Sequence, residues 1–192
     1  FNDGKMSAVA IDSGAWDLAG GALNVSAESL GGDAAAVFYV DQTLPVYYEL
    51  LADVKLGKPT AGWKANAFVI FDYFSPTDFK FAGLDQSTNK AVMGHSTADG
   101  WIYDVQAAVG NVRFDTYYAM QVTVNGLVVT VYVNGVARLT YQYDPRYLDG
   151  QAHGLNMGLL GVGSDNARGT FDNVVIQALP PQTTYEATDD FA

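Results

Sequence analysis

Cysteine is absent from this 192-residue chain, which removes disulfides, thiolate nucleophiles and zinc–thiolate centres and leaves the compartment open. The two histidines, His95 and His153, form no metal-ligand spacing with each other. His95 lies in a Gly94-His95-Ser96 turn and reads as a surface residue rather than a base. No nucleophile elbow is present. Helical periodicity is scarce, and only short turns around Ser75–Phe79 or Pro145–Leu148 are expected. No apolar run approaches ~20 residues, so no segment is expected to insert into a membrane. Glutamate occurs only at positions 28, 49 and 186, so almost all of the acid is aspartate. Aspartate suits turns, caps and oxygen-bound cations. A turn-rich β protein and one with Ca²⁺ sites both fit that bias. The net charge of −11 argues against nucleic acid as a partner, because phosphates would be repelled.

What is present is β patterning. With 49% apolar residues the chain is long enough for one well-filled domain. Trp16–Leu18 and Ala22–Val25 read as strands across a Gly20-Gly21 turn. Strands follow at Ala35–Val40, Tyr47–Leu56, Ala65–Phe74, Phe79–Leu84, Lys90–Gly94 and Trp101–Val105. Tyr48, Leu50, Ala52 and Val54 share one face of the second of these, and Tyr47, Glu49, Leu51, Asp53 and Lys55 the other. The continuous apolar run Ala65–Phe74 predicts a buried central strand. Tyr118–Tyr143 carries two Asn-Gly pairs between β-branched runs, Asn125-Gly126 and Asn134-Gly135, and predicts a three-strand meander with type I′ turns.

The stretch Leu155–Ile176 organises the remainder. It reads as an apolar run (Gly158–Val162), a polar loop (Gly163–Gly169) and a closing strand (Thr170–Ile176). Phe171, Asn173 and Val175 are expected on one face of that strand, with Asp172, Val174 and Ile176 on the other. Asp172 is then solvated at a strand edge or held by a cation, because an unpaired buried charge is costly. Asp165 and Asn166 have oxygens close enough in sequence to ligate Ca²⁺ or to form an Asx turn, with Arg168 as a partner for Asp165. The expected organisation is one β-sandwich domain over residues 1–179 and an extended linker, or the start of another module, over 180–192. Pro180-Pro181 stiffens that exit. Thr188-Asp189-Asp190-Phe191 echoes Phe1-Asn2-Asp3-Gly4, as repeated modules would, and the abrupt opening at Phe1 suits a module of a longer protein.

Glycan cleavage needs two converging carboxylates, ~5–5.5 Å apart for retention. Glu49 and Asp53 are four residues apart, roughly 13 Å along a strand at ~3.3 Å per residue, so the pattern is broken. Glycan binding needs exposed rings beside a few polar groups. Trp63, Tyr73, Trp101 and Tyr103 are the candidate platform, with Asn66, Asp99 and Asp104 as hydrogen-bonding partners. Core packing is the alternative for each ring.

Asp78-Phe79-Lys80-Phe81-Ala82-Gly83-Leu84-Asp85, Val131-Tyr132-Val133-Asn134-Gly135, Gly154-Leu155 and Gly169-Thr170-Phe171-Asp172-Asn173-Val174 resemble a concanavalin A-like, laminin-G-type β-sandwich. Modules of this kind occur in large secreted or surface-anchored bacterial proteins, including RTX-type adhesins. The resemblance spans most of residues 47–178. It implies an all-β, two-sheet antiparallel jelly roll, and a structural Ca²⁺ at Asp172 with partners Asn2 and Asp3. It further implies a non-catalytic, secreted or cell-surface module that is adhesive or carbohydrate-binding and joined to neighbouring modules of its chain. The alternatives are a structural spacer binding nothing but ions, and a divergent glycan-cleaving enzyme on the same fold.

Overall fold

The computed structural model describes residues 6, 8–26, 32–40 and 42–178. In chain order its strands are β1 (Val9–Ser13), β2 (Ala15–Ala19), β3 (Ala22–Ser26), β4 (Asp33–Phe38), β5 (Tyr47–Leu56), β6 (Asn66–Ser75), β7 (Asp78–Asp85) and β8 (Lys90–Thr97). They continue as β9 (Gly100–Ala108), β10 (Tyr117–Asn125), β11 (Val128–Val133), β12 (Val136–Gln142), β13 (Arg146–Leu148), β14 (Gln151–His153), β15 (Leu159–Asp165) and β16 (Arg168–Ala178). No helix occurs among the described residues. Of the two segments expected to turn helically, Pro76-Thr77 links β6 to β7 and Arg146–Leu148 is β13. The exit segment 180–192 and the opening residues Asn2 and Asp3 lie outside the described residues.

Two seven-stranded antiparallel sheets stack as a sandwich, ordered β1-β4-β15-β6-β7-β8-β9 and β12-β11-β10-β5-β16-β3-β2. The run over Ala65–Phe74 is central as expected, since β6 is the fourth strand of the first sheet. The period of two decides what lies between the sheets. Tyr48, Leu50, Ala52, Val54 and Leu56 of β5 meet Ala67, Val69 and Phe71 of β6 in one core, with Phe171 of β16 among them.

The three-strand meander forms as expected, but its two turns differ, and the first shifts the pairing of its hairpin. Asn134 (φ 51°) and Gly135 (φ 75°) are both left-handed, as type I′ requires. Asn125 instead pairs with Val128 as a strand residue. The loop there is Gly126-Leu127, with positive φ at Gly126 alone (64°), the type II′ arrangement.

The closing stretch also departs from expectation. The polar segment 163–169 is mostly strand: β15 runs through Asp165, β16 starts at Arg168, and Asn166-Ala167 alone connect them. Nor does β16 alternate cleanly. Its pairing with β5 slips between Asp172 and Val175, and Asn173 sits at φ 48°. This bulge moves Val174 and Ile176 onto the core side with Phe171, and leaves Val175 47% exposed. Aspartates recur at such slips. Asp12 in β1 and Asp104 in β9 are the extra residues of their bulges, and Asp72 opens the irregularity in β6.

Asp72 is fully buried and is reached by Lys80 Nζ (2.7 Å) and Arg146 Nη2 (3.0 Å). Arg146 also forks onto Asp78, with both bonds at 2.8 Å, and lies 3.9 Å over the Phe74 ring. The β13–β14 hairpin is thereby pinned to the sheet, and the guanidinium holds the Asp78 carboxyl below its usual range.

Candidate ligand-binding site

The first sheet has a second apolar face, turned away from its partner. In β6, Phe68 and Ile70 alternate with the core residues. In β7, Phe79 and Phe81 do the same, as do Val92 in β8 and Ala35 in β4. Trp101 and Tyr103 of β9 close over them. The Trp101 ring centroid lies 4.7 Å from Phe81, 4.9 Å from Phe79 and 5.3 Å from Phe68.

This packing requires a curled sheet. Trp101 Cη2 would lie only 3.1 Å from a Cβ built on Gly163 of β15. Yet β9 and β15 are separated by β8, β7 and β6. Four strand spacings in a flat sheet amount to ~19 Å, far beyond the reach of an indole. The face is therefore concave, and Gly163 leaves room for the ring. The bulge at Asp104 makes the arrangement local: Trp101 and Tyr103 point into the concavity, while Val105 and Ala107 beyond it pack against the main core.

One slot stays open on this face, with a volume of about 230 Å³. Trp101, Phe79 and Ala35 supply its apolar surface. Asp12 and Ser13 of β1 and Asp33 of β4 form one wall. Opposite stand Pro76 and Thr77 of the β6–β7 turn, Ser96, and the β8–β9 turn through Thr97 and Gly100. The Trp101 indole N–H faces the Asp33 carboxylate without closing a short hydrogen bond. Desolvation raises the Asp33 carboxyl above its ordinary pKa. The Trp101 N–H opposes that, and the Asp165 charge adds to it. Tyr73 stacks on Phe79 at 5.6 Å, with its hydroxyl near Asp12. Burial, with Asp12 beside it, pushes the Tyr73 phenol up.

Three of the four rings anticipated from sequence thus meet on one face: Trp101, Tyr103 and Tyr73. Trp63 does not join the slot lining; the Arg168 guanidinium sits 5.2 Å over its ring. Arg168 was expected to pair with Asp165, but the Asp165 carboxylate is bonded by Lys64 Nζ instead. Asn66 is buried and exchanges two hydrogen bonds with the Asp165 backbone, 2.8 and 2.9 Å long, so it positions a strand end. Asp99 is exposed on the β8–β9 turn at the rim, its N–H donating to Thr97 Oγ1. Asp104 bonds His95 Nδ1 at 2.9 Å. Glu49 and Asp53 lie on the outer face of the other sheet, where Tyr47 and Gln177 bond the first and Asn173 the second.

Asp12, Asp33 and Phe79 were not singled out from sequence. Asp12 sits in Val9-Ala10-Ile11-Asp12-Ser13, where a charge interrupts an apolar strand just as Asp172 does in β16. That shared signature of a bulge is the trace that was there to read.

No group of three or more His, Cys, Asp or Glu side chains that could hold a metal ion forms among the described residues. Asp165 already has a cation in Lys64. Asp172 accepts the Asn173 N–H at 2.7 Å and stands opposite Asp53 in the β16–β5 register.

No protein-family model matches the chain, and no curated protein matches its sequence. Solved structures do match its fold. A carbohydrate-binding module, CBM66 from Bacillus subtilis, aligns with a TM-score of 0.73 at 10% identity, over 89% of this chain and 96% of that one. The exoplasmic/lumenal domain of VIP36 in its Ca²⁺/Man-bound form aligns at 0.63 and 10% identity, over 93% of this chain and 86% of that one. A putative glycosyl hydrolase from Parabacteroides distasonis ATCC 8503 aligns at 0.60 and 14% identity, over 93% and 92%. At such identities the likeness is one of fold.

Proposed function

We propose that this chain is a glycan-binding module, non-catalytic and displayed outside the cell, and that the slot under Trp101 is its binding site. The slot carries this reading: a curled sheet leaves an aromatic surface with oxygen acceptors on both sides. A sugar ring offers that geometry a C–H face and a rim of hydroxyls. The sandwich it shares with a carbohydrate-binding module and a Man-bound lumenal domain supports the same class of ligand. Attachment to neighbouring modules of a large bacterial surface or secreted protein belongs to the same proposal. The test is a glycan-array screen followed by titration calorimetry with the strongest class. Trp101→Phe should weaken binding severalfold with the fold intact, Trp63→Ala should leave it unchanged, and no cleavage product should accumulate. Absence of binding to any glycan, or equal loss in both variants, overturns the proposal.

A terminal Ca²⁺ on Asp172, with Asn2 and Asp3, is the structural part of this proposal. Two carboxylates facing each other across a strand pair repel, and a cation beside Asp172 and Asp53 would relieve this. Ca²⁺ bound to the native state alone raises stability by RT ln(1 + [L]/Kd). The unfolding midpoint should therefore fall on exhaustive chelation and recover with Ca²⁺, with no such response in Asp172→Ala. An unchanged midpoint removes the ion.

A further inference from the structure

The slot contains acceptors in excess of donors. Asp12 and Asp33 are the charged groups of its lining, which includes no Lys, Arg or His. Of the four lining hydroxyls, those of Ser96 and Thr97 are already committed as donors, while, among the described residues, those of Ser13 and Thr77 are not. Ser96 Oγ donates to the Pro76 carbonyl (3.0 Å), and Thr97 Oγ1 donates to the Gly100 carbonyl and accepts the Asp99 N–H (3.1 Å). What remains available to a ligand is two carboxylates, the lone pairs of Ser96 and Thr97 and the hydroxyls of Ser13 and Thr77, above an aromatic floor.

A neutral sugar hydroxyl has a single proton to donate to the two carboxylates. An ammonium group has three donors and no acceptor. It also gains from two carboxylates through charge-assisted bonds, and from a ring face through cation–π attraction. An anionic sugar would be repelled by the slot and by the chain's net charge of −11. We infer that the slot selects glycans bearing a free amine, of the glucosamine type, over their neutral, N-acetylated or acidic counterparts. This rests on the glycan-binding reading above and narrows it to one ligand class. Asp33 suits the role because its side chain is exposed in the slot wall, open to a positive partner.

The experiment is calorimetric titration of the intact chain with oligomers of glucosamine, N-acetylglucosamine and glucose of equal length. The glucosamine oligomer should bind about tenfold more tightly, the usual worth of one charge-assisted hydrogen bond. The preference should disappear in Asp12→Asn/Asp33→Asn, and survive in Asp17→Asn, which removes the same kind of charge on the other sheet. On the unaltered protein it should fade as rising pH deprotonates the sugar amine, so the result does not depend on any variant's folding. Equal binding of all three oligomers overturns this inference and leaves glycan binding standing. No binding by any of them overturns both. A lysine oligomer that binds as tightly as the glucosamine oligomer also overturns it, since charge alone would then account for the effect.

Discussion

Each sheet has a face turned away from the shared core, and the two faces are built differently. On the second sheet that face carries Tyr47, Glu49, Thr123, Thr130, Thr140 and Gln177. Their hydroxyls and amides bond one another across strands, as Thr130 does to Thr140 at 3.1 Å and Gln177 to Glu49 at 2.7 Å. On the first sheet the equivalent face carries Phe68, Ile70, Phe79 and Phe81, all 2% exposed or less. Among the described residues no second sheet covers them. Curl and the reach of Trp101 do so instead. A small extra core therefore holds the concave face in shape, while the opposite face can vary at little cost.

The largest test of that contrast is Phe81→Ala. It empties a packed position under Trp101 and should destabilise the fold by about 3–5 kcal/mol in urea unfolding. A value near zero would mean that the outer cluster contributes nothing to stability. Gly163→Ala is next. The new methyl would come within 2.5 Å of the Ala34 carbonyl and 3.1 Å of the Trp101 ring. A cost of ~1–3 kcal/mol is expected, with a shift in tryptophan emission as the indole is displaced from the slot.

Asp33→Asn comes third and acts with a defined sign. The folded state raises the Asp33 pKa, so native protein holds that proton more tightly than unfolded chain does. Ionisation therefore lowers stability as pH rises from below the ordinary carboxylate value through the raised one. The Asn variant should melt higher than the parent at neutral pH and match it near ~pH 3. An identical difference at both pH values would assign the effect to packing. Thr130→Ala, on the polar face, should change stability by no more than ~0.5 kcal/mol. A larger loss there would erase the asymmetry between the faces.

Much of the fold was legible before any coordinates. The alternation in Tyr47–Leu56 and the continuous apolar run at Ala65–Phe74 define a half-exposed and a fully covered strand, because side-chain direction has a period of two wherever the backbone is extended. The site was legible only in part. Trp101, Tyr103 and Tyr73 were recognised as rings able to form a platform, yet their partners Asp12 and Asp33 were not. Those carboxylates come from β1 and β4, far from β9 both in sequence and in strand order. Asp172 interrupts an apolar strand in the sequence, and in the structure that interruption coincides with a bulge that re-aims Val174 and Ile176.

The sequence by itself determined the strand pattern, the existence of the meander and which residues can enter a core, since these follow from local periodicity and turn chemistry. Tertiary structure alone decided that one sheet curls far enough for Trp101 to lie over Gly163. Curl is a sum of small twists, bulges and close approaches across many strands, and no single stretch of sequence contains it.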